Sequence, residues 1–535
     1  MRSRECRGRL LGRAVVATVI VVLAGSACSS GGADDADADL GAAAHSAPST
    51  TALSSAAAPG RVASPSVTPA TGGRGEAFGS LAYDVGEFGY QEQEFLFGGR
   101  ARTFAPVDLP PAPYRSRMVV WMPTDPADFN GTTVVEWAQV SDAGDFELNV
   151  EINAQSPMLI EEGYAFVLVS VEQRGVCKPT PQGCPLTSLV GADPERYGSL
   201  RQPGDAYSFD IFNQAMQAIR FPTDVSPLGD LQTDFLIAEG FQRSIDKYFP
   251  NGTPDPPAED NPLGVHGPLN AYLASGGDDV AGLADAYLID ASAPAEEPPH
   301  YRVPTLHLLD ESAIRSVPVP DSENHVTWEV VGAPHADRWN GAHVDLPDSE
   351  PLEPKLSRDE ELADRARFDD FGINPGRSGS DCSPAPDAGS MFPKRYTLTA
   401  ALAALQAWLE TGVPAPAAPR VERNDPISDD PAQTLLRDED GNAIGGLRLP
   451  FIDVPVAAYY GEACIMAGTT IALPPVRLAD LYPTHQDYVE QVQVATDEAV
   501  EAGYLRCPDA EMIMRVASDS TIGGEDPFIA EPACA

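Results

Sequence analysis

The sequence predicts an α/β domain: a mostly parallel sheet flanked by helices, with insertions and a C-terminal extension. Three observations carry that expectation. Seven short apolar runs rich in β-branched residues recur between residues 118 and 331, separated by longer segments. Helical spacing recurs among and after them, as at Tyr207, Ile211, Ala215, Met216 and Ile219. One stretch, Asp234 to Ser244, sets an apolar strand, a small-residue turn at Gly240 and the start of a helix in direct succession. Alternation of that kind gives parallel strands covered by helices.

At the N-terminus, five arginines precede the apolar run Ala14 to Gly25, which ends in Ser26-Ala27-Cys28. A basic segment, a short apolar core and small residues describe an export signal over residues 1–27. The run is shorter than the ~20 apolar residues a spanning helix needs. Gly25-Ser26-Ala27-Cys28 also looks like a bacterial lipoprotein box, with Gly25 where a large aliphatic residue is usual, so Cys28 is the expected lipidation site and plain secretion the alternative. Either way the expected location is extracytoplasmic, with contact to the membrane through Cys28 only.

Residues 28–75 are rich in Ala, Ser, Thr, Pro and Gly and read as a flexible tether, too poor in large apolar residues to offset the entropy of ordering. The core is expected over residues 76–413. The strand runs are Met118 to Met122, Thr132 to Trp137, Ala165 to Val171, Phe235 to Ala238, Ala286 to Ile289, Thr305 to Leu309 and Val326 to Val331. Helices are expected over Tyr207 to Arg220, through Leu398, Leu402, Leu405 and Leu409 up to Gly412, and through Val489, Val492 and Val500 up to Gly503. Pro414 to Arg420 links the core to a C-terminal portion, residues 414–535.

A net charge of −44 argues against nucleic acid or an anionic membrane surface as a partner. Eight cysteines are present, two of them in the signal region. The other six suit disulfides in an oxidising compartment, Cys177 with Cys184 as a local pair and Cys382, Cys464, Cys507 and Cys534 in pairings the sequence leaves open. Zinc is the rival reading, but no close Cys pair or His-containing spacing supports it, and no metal is expected. No dinucleotide or phosphate-binding glycine loop and no His-Glu-x-x-His is visible, so no cofactor is expected.

The stretch at Gly240 has the layout of a nucleophile elbow, in which a Ser two residues after a Gly sits on a strained turn between strand and helix. The expected Ser is missing: in either register the tip is Phe241 or Gln242, neither of which can attack a carbonyl. Ser244 falls in the first turn of the following helix, where a hydroxyl serves as a cap, and Ser141 and Ser170 are no better placed. A strand followed by a turn presents His335, where a general base would reach the elbow from a loop. Before it, the strand Thr305 to Leu309 ends in Asp310 and Glu311, and Glu311 is taken as the acid that orients the His.

Val134 to Ser141, Glu161 to Val167, Arg196 to Ile211, the elbow, Trp328 to Asp337 and Gly441 to Pro450 together resemble the bacterial "alpha/beta hydrolase domain" proteins, a group of predicted serine hydrolases. The resemblance runs from about Gly75 to the C-terminus and implies an α/β-hydrolase fold. The family's elbow resembles Gly-x-Ser-Gln-Ser; anchored on its Gln, it sets Gln242 on that Gln, Phe241 on the nucleophile and Arg243 on the following Ser. His335 matches the family's base. A Glu and an Asp two residues apart in the family map onto Glu311 and Ala313. The family's Trp-x-Asn-Val-Ser matches Trp137-Ala-Gln-Val-Ser141, with Gln139 in place of Asn, and would supply backbone donors for an oxyanion. The expected function is a degenerate serine hydrolase that keeps a pocket for a small ester-like ligand, lined by Phe241, Gln242, Gln139 and Ser141. The alternatives are an active esterase using His335 with another nucleophile or an activated water, and a structural or interaction lipoprotein of the envelope.

Overall fold

The computed structural model describes residues 62–73, 75–104, 107–140, 147–241, 268–274, 277–291, 300–314, 318–338, 355–366, 389–424, 434–464, 467–524 and 534. Among the described residues the strands are β1 (Ser66–Pro69), β2 (Tyr90–Ala101), β3 (Ala112–Pro123), β4 (Thr132–Trp137), β5 (Gln139–Val140), β6 (Glu147–Leu148), β7 (Ala165–Val169), β8 (Phe235–Phe241), β9 (Ala286–Asp290), β10 (Thr305–Leu309), β11 (His325–Glu329), β12 (Ala457–Tyr460) and β13 (Thr469–Ala472). Nine form one sheet in the order β1-β2-β3-β7-β4-β8-β9-β10-β11. The first three and β7 are joined antiparallel, and from β7 to β11 every pairing is parallel.

The parallel strands are apolar on both faces because both faces are covered. Val134, Ile237 and Leu308 share one core with helices α1 (Val150–Glu161) and, near its Leu398 and Leu402, a long helix Arg395–Thr411. Val135, Leu236 and Ile289 face α2 (Ser208–Arg220) and α3 (Pro268–Ala274) through Phe212, Leu269 and Tyr272. The Arg395–Thr411 helix, α4, stops where Gly412 turns left-handed (φ 72°) and its N–H bonds to Trp408. α5 (His485–Glu501) begins with a capping box between Thr484 and Asp487, and α6 (Cys507–Asp519) follows it.

The C-terminal portion shares the α1 and α4 core, with Leu447, Ile452, Val489 and Ile513 in the same cluster as the sheet. It also covers the edge strand β11. Leu447 N–H donates to Glu329 O (2.7 Å), Val331 N–H donates to Leu447 O (3.0 Å), and the Trp328 indole donates to Pro416 O (2.7 Å). Among the described residues no helix is long and apolar enough to cross a membrane.

Two expectations need correction. The end of the supposed tether is part of the sheet: β1 pairs with Phe95 to Gly98 of β2 and buries Val67. Ladder hydrogen bonds order that segment where its side chains alone would not. The elbow strand is longer than expected and runs through Gly240 to Phe241, each still paired with β9. A Cβ on Gly240 would come within 3.0 Å of Leu269 on α3, so the glycine admits a close helix rather than making the turn.

Disulfides join Cys177 to Cys184 and Cys507 to Cys534, and Cys464 is disulfide-bonded as well. The export signal, Cys28 and Cys382 lie outside the described residues.

Candidate functional site

The site residues gather at the C-terminal ends of the parallel strands, where ligands bind in open α/β sheets. Strand β10 ends at Leu309, and the next residue, Asp310, opens a tight turn. Its Oδ1 accepts from the backbone N–H of Ser312 (2.8 Å) and of Ala313 (3.0 Å). That turn fixes the carboxyl and leaves Oδ2 for His335, whose Nδ1 lies 3.2 Å away. His335 follows β11 through a turn in which Gly332 takes φ 78°. Both side chains are buried, at 0% for Asp310 and 1% for His335.

The electrostatics fix the protons. Burial pushes the Asp310 carboxyl up, but the hydrogen bond from His335 and the charge of Lys394 outweigh it and hold Asp310 well below the usual carboxylate range. An ionised Asp310 can only accept, so Nδ1 of His335 is the donor in their hydrogen bond.

Lys394, just before α4, is the second anchor. Its ammonium lies 2.7 Å from Asp290 Oδ2 and 3.7 Å from Asp310 Oδ2, and donates to the His335 carbonyl (3.1 Å). Burial would lower the lysine, but Asp290 and Asp310 raise it above its ordinary value. Asp290 is the last residue of β9 and stands in register with Phe241 at the end of β8. A continuous chain therefore runs from the elbow strand through Asp290, Lys394 and Asp310 to His335.

Glu311, taken from the sequence as the acid, is not the residue on His335; the preceding Asp310 is. Successive residues past a strand end point apart, and Glu311 turns toward the C-terminal portion. It accepts from the N–H groups of Gly332 (2.8 Å) and Gly461 (2.8 Å) and pairs with Arg437 (2.9 Å), which also holds Glu462 (2.7 Å). Burial pushes Glu311 up to about 8, with Arg437 opposing and Glu462 adding to the rise.

Of the remaining expected site residues, Gln139 lies just past β4, 9% exposed, in the short ribbon β5 pairs with β6. Its Oε1 has no hydrogen-bond partner among the described residues. Phe241 closes β8. Gln242 and Ser141 lie outside the described residues. Phe241 still belongs to the ladder, paired with Asp290 of β9.

Lys394 and the acids Glu136, Glu151, Glu239 and Asp290 were missed by the sequence reading. The available signal was a carboxylate closing an apolar run, as in Val135-Glu136-Trp137 and Ala238-Glu239-Gly240. Lys394 gave none, since it is distant in sequence from the strands it meets. Among the described residues no group of three or more His, Cys, Asp or Glu is placed to hold a metal ion.

No curated protein sequence matches the chain. Among solved structures it is similar to esterase Est22, at 9% identity over 43% of this chain and 66% of that one, with a TM-score of 0.23. It is similar also to XC6422 from Xanthomonas campestris, described as an a/b serine hydrolase without lid, at 12% identity over 40% of this chain and 72% of that one, TM-score 0.21. A third is brefeldin A esterase, described as a bacterial homologue of human hormone sensitive lipase, at 8% identity over 40% and 44%, TM-score 0.21. The described chain thus spans about two thirds of Est22. The family described as alpha/beta hydrolase domain matches residues 62–515, and the chain belongs to that family.

Proposed function

We propose that this protein is an exported, lipid-anchored member of the family that has lost covalent catalysis and keeps an ester-like ligand site at the end of β8. The observation that carries the reading is the Asp310–His335 pair at 3.2 Å, standing beside an elbow whose candidate tips, Phe241 and Gln242, are not nucleophiles. Loss of a triad member leaves only the ~10³ to 10⁴-fold catalysis over water that a backbone oxyanion site and binding supply. The chain is then nearly inert toward esters. Support for export is the basic and apolar leader ending at Cys28.

The test is labelling of the purified full-length mature protein with a serine-directed fluorophosphonate, run beside Gln242→Ser and Phe241→Ser. The reading expects a silent native chain and labelling of one Ser variant that depends on His335. Stoichiometric labelling of a native Ser would falsify it. Anchoring is tested apart from this, by release of the Cys28→Ala protein from the membrane fraction.

A second reading is favoured by the same pair. His335, whose Nδ1 donates to Asp310, is able to activate water directly on an ester carbonyl. Turnover by the native chain that disappears with His335→Ala would establish it.

A further inference from the structure

Four acid side chains are fully buried on the α1 face of the sheet: Glu136 on β4, Glu239 on β8, Asp290 on β9 and Glu151 in the first turn of α1. Glu136 and Glu239 are direct cross-strand partners in the parallel β4–β8 register. Neighbouring strands lie ~4.8 Å apart, and like charges directly opposite one another repel. Asp290 follows on the next strand, on the same face.

Among the described residues the groups around this row do not neutralise it. Lys394 is the cation against it, and its ammonium is shared between Asp290 and Asp310. His335, from the turn after β11, is committed to Asp310. Glu136 Oε2 accepts from the Ile152 N–H (2.8 Å), capping α1 where Asn149 makes no side-chain cap. Glu151 lies against Glu136, and the Gln155 amide, one helical turn beyond Glu151, lies against Glu239, though neither contact has the geometry of a full hydrogen bond between ionised groups. Their donor atoms are not gathered about a point that would hold a metal ion. Buried carboxylates in such a place must be paired or protonated, and here protons are what the geometry admits.

We propose that Glu136, Glu151 and Glu239 form a proton-fastened clasp that holds α1 to the end of the sheet and loosens as they ionise in alkaline solution. Burial pushes Glu136 up to about 8, against the backbone N–H groups of α1, and pushes Glu151 and Glu239 well above the ordinary carboxyl range, with neighbouring acids adding to the rise. The sign follows. Below the ordinary carboxyl range both folded and unfolded chains carry these protons. Above it the unfolded chain has released them and the folded chain has not, so stability falls as pH rises until the folded groups ionise. Each such carboxyl lowers the folding constant about tenfold per pH unit in that window.

The test uses the full mature chain. At pH 7 its infrared spectrum is expected to show the carbonyl stretch of protonated carboxylic acid, stronger than Glu311 and Asp290 would give and weakened in Glu239→Gln and Glu151→Gln. Between pH 6.5 and 8 the folding constant of the native chain should fall more steeply than that of either variant, by up to tenfold per pH unit. Glu498→Gln, at an exposed position of α5, should keep the native slope and so removes the effect of net charge. Equal slopes in the native chain and the Glu239 and Glu151 variants overturn the proposal. If neither variant folds, the native spectrum decides: a protonated band beyond what Glu311 and Asp290, both raised by burial, would give supports the clasp, and its absence overturns it.

Discussion

Lys394 sets its ammonium 2.7 Å from the Asp290 carboxylate, both side chains out of water, and thereby ties the strand beside the elbow to the support of His335. Breaking a buried pair by removing one partner leaves an uncompensated charge and costs about 3 to 5 kcal/mol. Lys394→Met is therefore expected to lose about that much in denaturant unfolding. Adding Asp290→Leu should recover part of the loss, since the stranded carboxylate goes with it.

Asp310 acts on chemistry only through His335. In whichever background shows ester turnover, native or Gln242→Ser, Asp310→Asn is expected to lower kcat by roughly 10⁴ with KM little changed, because the amide favours the wrong imidazole tautomer. Glu311→Gln should leave kcat within a few fold and act on stability instead. Steady-state kinetics on the two variants separates them, and a larger loss from Glu311→Gln would reverse the assignment of the acid.

A second pH effect runs in the opposite sense to the clasp. His325 donates to or accepts from His307 at 3.0 Å, His307 meets Asn270 at 2.9 Å, and Tyr301 stacks on His325 at 4.4 Å. Burial pushes His325 down to about 4, with Asp321 opposing. The unfolded chain takes up a proton near the ordinary pKa of 6.5 while the folded chain does not, so this residue's contribution is present above 6.5 and lost as pH falls toward 4. At ~1.4 kcal/mol per pH unit the loss is on the order of 3 kcal/mol. His325→Gln, compared with the native chain by unfolding at pH 4.5 and 7, should remove that difference.

Gly332 is needed where it stands. With φ 78°, a side chain there adopts a left-handed conformation at about 1 to 2 kcal/mol, and its Cβ would lie 2.8 Å from Ile452 and 2.9 Å from Tyr459. Gly332→Ala should lower the thermal midpoint and displace the turn that presents His335. An unchanged midpoint would mean that this turn is free to relax.

The sheet was legible because parallel strands buried on both faces are written as continuous apolar runs: Thr132 to Trp137 and Thr305 to Leu309 match β4 and β10 residue for residue. β1 and β2 were not, since Ser66–Pro69 is ordered by backbone pairing and Tyr90–Ala101 mixes polar residues along a half-covered antiparallel ribbon. His335 stands after β11, where the sequence placed it. The carboxylate against it is Asp310 and not Glu311, because composition cannot say which of two adjacent carboxylates a turn directs inward. Lys394 was invisible because its partners come together only through the packing of α4.

The C-terminal portion closes the last edge of the sheet. Leu447 bonds to both sides of Val330, just past β11, and Val421 N–H donates to the Glu329 carboxylate (2.8 Å). An edge strand with free N–H and C=O groups is a template for another chain. A protein cut after residue 413 is therefore expected to leave the Glu329 carbonyl and the Val331 N–H open beside β11 and to self-associate there.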